Sequence, residues 1–439
     1  MIPENILSTQ RYVLDFLLGE NGEDLENHVF YGTQEAAPSN VKIVIVPSNF
    51  FDDGVYGTSA TLPETPFAML PDSEIPFLFG EPRLEKDENG RVVLYADLVA
   101  SAYFMLSRYE EIVKPDSRDQ HGRFLAHDSV VFQQKYGFRP LVDEWGRYLR
   151  NLLRKAGVDL PAEKHGFKKI YLTHDIDTPF ILWRKKQVFK QWIKNMIHYG
   201  RKIPNPYKVY KTGIGDPYNN FAEIIGYDTD LKNKMGESIV GSVYFMIAAG
   251  NSHTKSYCNI ELPKYQAMLK QLEEGGAEIG LHASYEAGGD PMLLKCEMER
   301  MFNYCVSATT KSRHHFLRWR EPGHIDEIEK AGITEDFTLG YADSVGFRVG
   351  TCRPYKFINP KTVALSNVLI HPMEIMECSL DRKNYMGLDF EAAKSVCEEI
   401  AAKVYDYNGE FIILWHNSSF LQSYHNMLYR EILKYVVEL

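Results

Sequence analysis

Hydrophobic positions along this chain change period several times, and each change marks an element. The nearly unbroken run Val41-Lys42-Ile43-Val44-Ile45-Val46 is short and stopped by Pro47, so a buried strand is expected over 41–47. Residues 95–112 set Leu98, Ala102, Met105 and Tyr109 at helical spacing, which predicts a helix with one apolar face. Between them, 54–82 is rich in Pro and Gly and is expected to be irregular. A second helix over 141–156 is apolar at Val142, Trp145, Leu149, Leu152 and Leu153, and Gly157 stops it.

The polar stretch 159–169, holding Pro161 and Gly166, separates this N-terminal α/β domain (1–158) from the remainder of the chain. From 168 to 439 strand and helix alternate. Strands are expected over 170–177, 242–248, 277–282, 314–319, 344–349, 367–375 and 411–416. Helices are expected over 180–199, 263–274, 291–306, 325–331 and 390–407. Such alternation builds a parallel sheet, because parallel neighbours need a helical crossover between them. About seven strands predict an α/β fold of the distorted (β/α) barrel kind, with chemistry at the strands' carboxyl ends. Residues 202–217, rich in Pro, Tyr and Gly, are expected to form a loop over the barrel mouth.

Length and charge narrow the functional classes. At 439 residues two domains are the natural expectation, and 44% hydrophobic with 25% charged residues is the balance of a soluble globular protein. With 49 basic against 59 acidic residues and no basic run to track a phosphate backbone, no nucleic-acid partner is expected. Residues 1–24 carry Glu4, Asp15 and Glu20 and lack the pattern of a signal peptide. No apolar stretch reaches the roughly 18–20 residues of a membrane span. A cytoplasmic location is expected, and the six cysteines agree: they lack C-x-x-C spacing, so neither a disulfide scaffold nor a thiolate zinc site is indicated.

The candidate chemistry begins at Thr173-His174-Asp175-Ile176-Asp177. On a strand Asp175 and Asp177 point to the same side, and two like charges that close need a cation, a proton or water between them. Other strand ends deliver His282 in Gly280-Leu281-His282-Ala283-Ser284 and His416 in Leu414-Trp415-His416-Asn417. The neighbours His314 and His315 add a third imidazole, since only one of them can face inward. Two carboxylates with up to three imidazoles suit a borderline divalent ion, zinc first, with a position open for water. Taken singly, a solvated acid pair or a hydrogen-bonded core histidine is the commoner reading; the coincidence at matching strand ends carries the inference.

On these motifs residues 168–439 resemble the polysaccharide deacetylase superfamily of metal-dependent carbohydrate esterases. An atypical bacterial branch with an extra N-terminal domain is resembled through Ser312-Arg313-His314-His315-Phe316-Leu317-Arg318, through Gly346-Phe347-Arg348-Val349-Gly350-Thr351 and through 101–111, where a structural helix is expected. The resemblance implies that Asp175 is the general base and Asp177 a metal ligand, although the family's two acids are adjacent and these alternate. It implies His282 as a second ligand. The family's next histidine falls at Glu286, so the third ligand is either Glu286 or, preferably, His315. Arg320 would brace the base, with Arg318 on the same face. Arg318, Arg348 and Trp415 would meet the substrate. His416 would be the general acid, its ring oriented by Asp336 or Asp343. The implied function is zinc-dependent removal of N-acetyl or O-acetyl groups from a carbohydrate. The alternatives are an inactive carbohydrate-binding or regulatory protein and a metal-dependent hydrolase of a non-sugar amide.

Overall fold

In the computed structural model, which describes residues 5–19, 25–182, 188–199, 206–249 and 258–439, the apolar run after Val41 becomes the inner strand of a sheet. The strands β1 (Val29–Tyr31), β2 (Ile43–Ile45), β3 (Gly80–Lys86) and β4 (Val92–Ala96) lie in the order β1-β2-β4-β3. β1 and β4 run parallel to β2, and β3 runs antiparallel to β4. All three residues of β2 are buried, as a strand covered on both faces requires.

This sheet belongs to the first of two units, which takes residues 1–165 and also 321–326 and 346–372. A single cut in the linker leaves those two later segments with the second domain; the structure groups them with the first. The helix expected over 95–112 is two pieces, Leu98–Leu106 and Glu110–Val113. Asp97 caps the first by accepting the Ala100 N–H at 2.9 Å, and all nine of its residues are buried. The break is at Arg108, whose φ of 56° is left-handed and whose Nε and Nη2 turn onto the Glu111 carboxylate at 2.7 and 2.6 Å. Helix Leu141–Lys155 forms as expected, with Asp143 and Glu144 in its first turn and Arg154 and Lys155 in its last, each suited to the local end of the helix dipole.

Arg348 corrects the sequence reading. The expected strand 344–349 is absent, and Arg348 Nη2 meets the same Glu111 at 2.7 Å. Burial would raise the Glu111 pKa, but Arg108 and Arg348 bring it down to about 2. Glu111→Gln removes the carboxylate that the two buried guanidiniums share and is expected to cost about 3 kcal/mol. An unchanged denaturant midpoint in that variant would remove the triad from the account of stability.

The second unit takes residues 166–320, 327–345 and 373–439. Its strands are β5 (Lys169–Ile176), β6 (Val240–Met246), β7 (Glu278–Ala283), β8 (Ala308–His314) and β9 (Glu335–Asp336). With the antiparallel pair of the first unit, Tyr355–Asn359 and Ala364–Ile370, counted as β10 and β11, there follow β12 (Ile375–Met376) and β13 (Glu410–Leu414). The seven strands of this unit run β9-β8-β7-β6-β5-β13-β12, every neighbouring pair parallel. Among the described residues no ladder joins β9 to β12, which closing a barrel from these seven would require.

Helices Pro263–Glu274, Pro291–Tyr304, Ile325–Lys330 and Phe390–Asp406 lie where helical spacing places them. Of the helix expected over 180–199, Val188–Tyr199 is described and 183–187 lie outside the described residues. Of the expected loop 202–217, residues 202–205 lie outside them, and the rest includes helix Pro206–Thr212. Two expected strands are displaced. The strand sought at 314–319 is β8, which ends at His314; the chain then turns through Phe316 and Leu317 at φ 62° and 53°. The strand sought at 367–375 divides between β11 and β12. No helix of the described residues is long and apolar enough to cross a membrane.

Candidate metal centre

The carboxyl end of β5 sorts its side chains by alternation. Thr173 and Asp175 face one way, and both accept from Arg313 Nη1 on β8, at 2.8 and 2.9 Å. Arg313 is fully buried, its Nε donates to the Phe337 carbonyl at 3.0 Å, and its guanidinium lies 4.6 Å from the Phe245 ring centre. The brace on Asp175 is therefore Arg313, not Arg320, which is exposed. Arg318 is spent on the Tyr285 carbonyl and stacks 4.2 Å over that ring. Both expectations fail because β8 ends before either residue. Extending the strand toward its amino end would have placed Arg313 beside His282, its register partner.

His174, on the other face, anchors the same strand end. Its Nδ1 lies 3.1 Å from the Trp415 carbonyl, and its Nε2 lies 3.4 Å from Asp228, which also accepts from Tyr244 and Tyr429 at 3.0 Å each. This buried network ties the loop that carries His416 to the strand that carries the acids.

His282, next to last in β7, is almost wholly buried. Its Nδ1 lies 2.9 Å from the Arg313 carbonyl, and a carbonyl can only accept, so that nitrogen carries the proton. In the neutral ring Nε2 then offers a lone pair, the arrangement that orients a metal-binding imidazole. Nε2 lies 3.0 Å from Asp177 Oδ1 and 3.5 Å from Asp175 Oδ2. His315 brings its Nε2 to 3.4 Å from Asp177 Oδ2. One ligand atom from each of Asp177, His282 and His315 falls within 4.8 Å of the others, a carboxylate and two imidazoles that suit a zinc-like ion.

Local backbone explains which histidine joins the cluster. His314, still on the strand, turns to Thr338 Oγ1 at 3.4 Å and Asp336 Oδ2 at 3.8 Å. His315, in the turn after it, reaches Asp177. Glu286, half-buried after β7, is not among the three gathered side chains. Charge supports the same reading. Burial would raise the Asp177 pKa, yet His315, His282 and His416 hold it well below the carboxylate range. Burial would lower that of His282, yet Asp175 and Asp177 raise it. A field that favours a proton there also favours a metal cation.

His416 follows β13 and faces Asp177, with Nε2 at 3.8 Å from Oδ2. Its Nδ1 lies 2.6 Å from Glu377 Oε1, which also accepts the His416 N–H at 3.1 Å and the Ser419 hydroxyl at 2.7 Å. The orienting acid is thus Glu377 and not Asp336, which serves Ser312, His314 and Thr338. Burial would lower the His416 pKa, but the Glu377 carboxylate overrides it and holds the imidazole well above its ordinary value. Glu377 is found by the same strand-end rule as the other site residues, once β12 is seen to end at Met376. Trp415 points the opposite way, fully buried with its ring 5.3 Å from that of Tyr429. Its burial leaves it no surface for a substrate, the contact expected of it.

Residues 4–157 match a family of unknown function, DUF7033. No curated protein matches the chain. Among solved structures the chain is similar to one described as "putative polysaccharide deacetylase from Mycobacterium smegmatis", at 13% identity and a TM-score of 0.39, over 64% of this chain and 87% of that one.

Proposed function

We propose that the second unit is a metal-dependent hydrolase that removes N-acetyl or O-acetyl groups from a carbohydrate. In this reading it is a member of the polysaccharide deacetylase superfamily, with its seven parallel strands forming a distorted barrel. The observation that carries the proposal is the sorting of functional groups around Asp177. A braced carboxylate (Asp175 with Arg313), a ligand set (Asp177, His282, His315) and a carboxylate-held imidazole (His416 with Glu377) meet at the carboxyl ends of β5, β7, β8 and β13.

The chemistry follows from what each group can donate or accept. Asp177, His282 and His315 would hold the metal, which when bound would polarise the acetyl carbonyl and acidify water. Asp175, fixed by Arg313, accepts the proton of the attacking water. His416 donates its Nε2 proton to the departing amine or hydroxyl, while Glu377 holds Nδ1–H and balances the imidazolium charge. The proton taken by Asp175 and the one given by His416 leave the overall hydrolysis balanced.

Metal analysis tests the assignment. The purified protein is expected to carry about one equivalent of zinc per chain, and His282→Ala to lose it together with acetate release from N-acetyl sugars. A metal-free protein that binds sugar equally well with or without His282 would instead assign a binding role.

A further inference from the structure

The cavity beside His416 carries a charge that the hydrolytic scheme does not use. It encloses about 360 Å³, and its lining includes Asp177, His416, Arg382, Ser418, Gln422 and His425. Asp177 and His416 belong to the metal centre as well, so whatever fills this cavity adjoins the bond to be cleaved. The cavity's other acid, Asp381, is held by His425 Nε2 at 3.1 Å. Arg382 is exposed; its Nη2 bonds the Cys378 sulfur at 3.2 Å, and its guanidinium lies 5.8 Å from the Tyr385 ring centre. Neither partner neutralises it: burial, and after it Glu377, raise the Cys378 pKa and keep the thiol protonated. Among the described residues no carboxylate stands within ion-pair distance of Arg382.

Resting on the hydrolase reading above, we infer that this cavity holds the amine side of an anionic acylamino sugar, with Arg382 paired to its carboxylate or phosphate ester. His416 gives its proton to the departing amine, so the sugar that bears this amine lies against His416 and extends into the cavity. The planar guanidinium fork matches a carboxylate or a phosphate with two parallel hydrogen bonds. Ser418 and Gln422 offer donors and acceptors for hydroxyl groups. The volume sits at the small end of ligand pockets, room for a sugar unit. Arg382 is a specificity residue in this account. It holds ground state and transition state alike, so its loss raises KM and leaves kcat nearly unchanged.

Calorimetric binding of three product amines to the zinc-loaded protein tests this: neutral glucosamine, glucosamine 6-phosphate and muramic acid. Turnover of their N-acetyl forms is followed alongside. At least one anionic amine is expected to bind about ten- to a hundredfold more tightly than glucosamine. That preference collapses in Arg382→Ala and survives in part in Arg382→Lys. Which amine gains affinity identifies the anion. Equal affinity for charged and neutral amines, or a preference that persists in Arg382→Ala, overturns the inference. An Arg382-dependent preference without cleavage of any N-acetyl form upholds the anion subsite and sinks the N-acetyl hydrolase reading instead.

Discussion

Asp175→Asn is expected to lower acetate release by about 10²–10⁴-fold while leaving the metal in place. The carboxamide cannot take a proton from water at neutral pH, and that is the step proposed for Asp175. Its oxygen can still accept the Arg313 Nη1–H, now 2.9 Å from Asp175 Oδ1, so the side chain keeps its direction and only the charge is lost. Arg313 is fully buried, and losing its counter-ion destabilises the unit; circular dichroism should therefore accompany the kinetics. The proposed ligands Asp177, His282 and His315 are untouched, so zinc content measured by mass spectrometry should match the parent protein. A drop in kcat with full metal content is the signature of a lost base. Undiminished turnover would remove Asp175 from the mechanism, and loss of zinc would make it a ligand.

Which parts of this site are legible in the sequence depends on how their neighbours are buried. β5, β6, β7 and β13 fall within two residues of their expected positions because their cores are apolar runs, and those runs lead to Asp175, Asp177, His282 and His416. β8 is displaced from its expected position because Thr309, Thr310, Lys311, Ser312 and Arg313 look solvated in sequence, although Ser312 and Arg313 are wholly buried. What buries them is the set of carboxylates they meet, Asp336 and Asp175, and those partners lie 24 and 138 positions away. The role of Arg313 is hidden with the strand. Arg348 shows the same limit in reverse. The resemblance implies a substrate contact for it, whereas Glu111, 237 positions distant, takes it into a buried ion triad. Hydrophobic period reports apolar burial; polar burial depends on a distant partner and leaves no periodic trace.

Glu377→Gln is expected to pull the alkaline limb of the pH–rate profile down by separating the charge of the His416 partner from its geometry. In the proposed mechanism His416 acts while protonated, and its pKa lies well above the ordinary histidine value because the Glu377 carboxylate outweighs burial. Glu377 remains charged across the working range, brought down to about 2 by His416 against the effect of its own burial. Glutamine keeps an oxygen for Nδ1–H, 2.6 Å away in the parent, but offers no charge. Burial then dominates and the His416 pKa falls, so the acid is lost at a lower pH than in the parent. Above neutral pH the rate should drop by up to about 10²–10⁴-fold, the contribution of one proton-transfer group. Toward acid pH, where the imidazole is protonated in both proteins, the two rates should converge. A uniform loss at every pH would mean that Glu377 only positions the ring. An unmoved alkaline limb would mean that His416 is not the group whose proton reaches the departing amine.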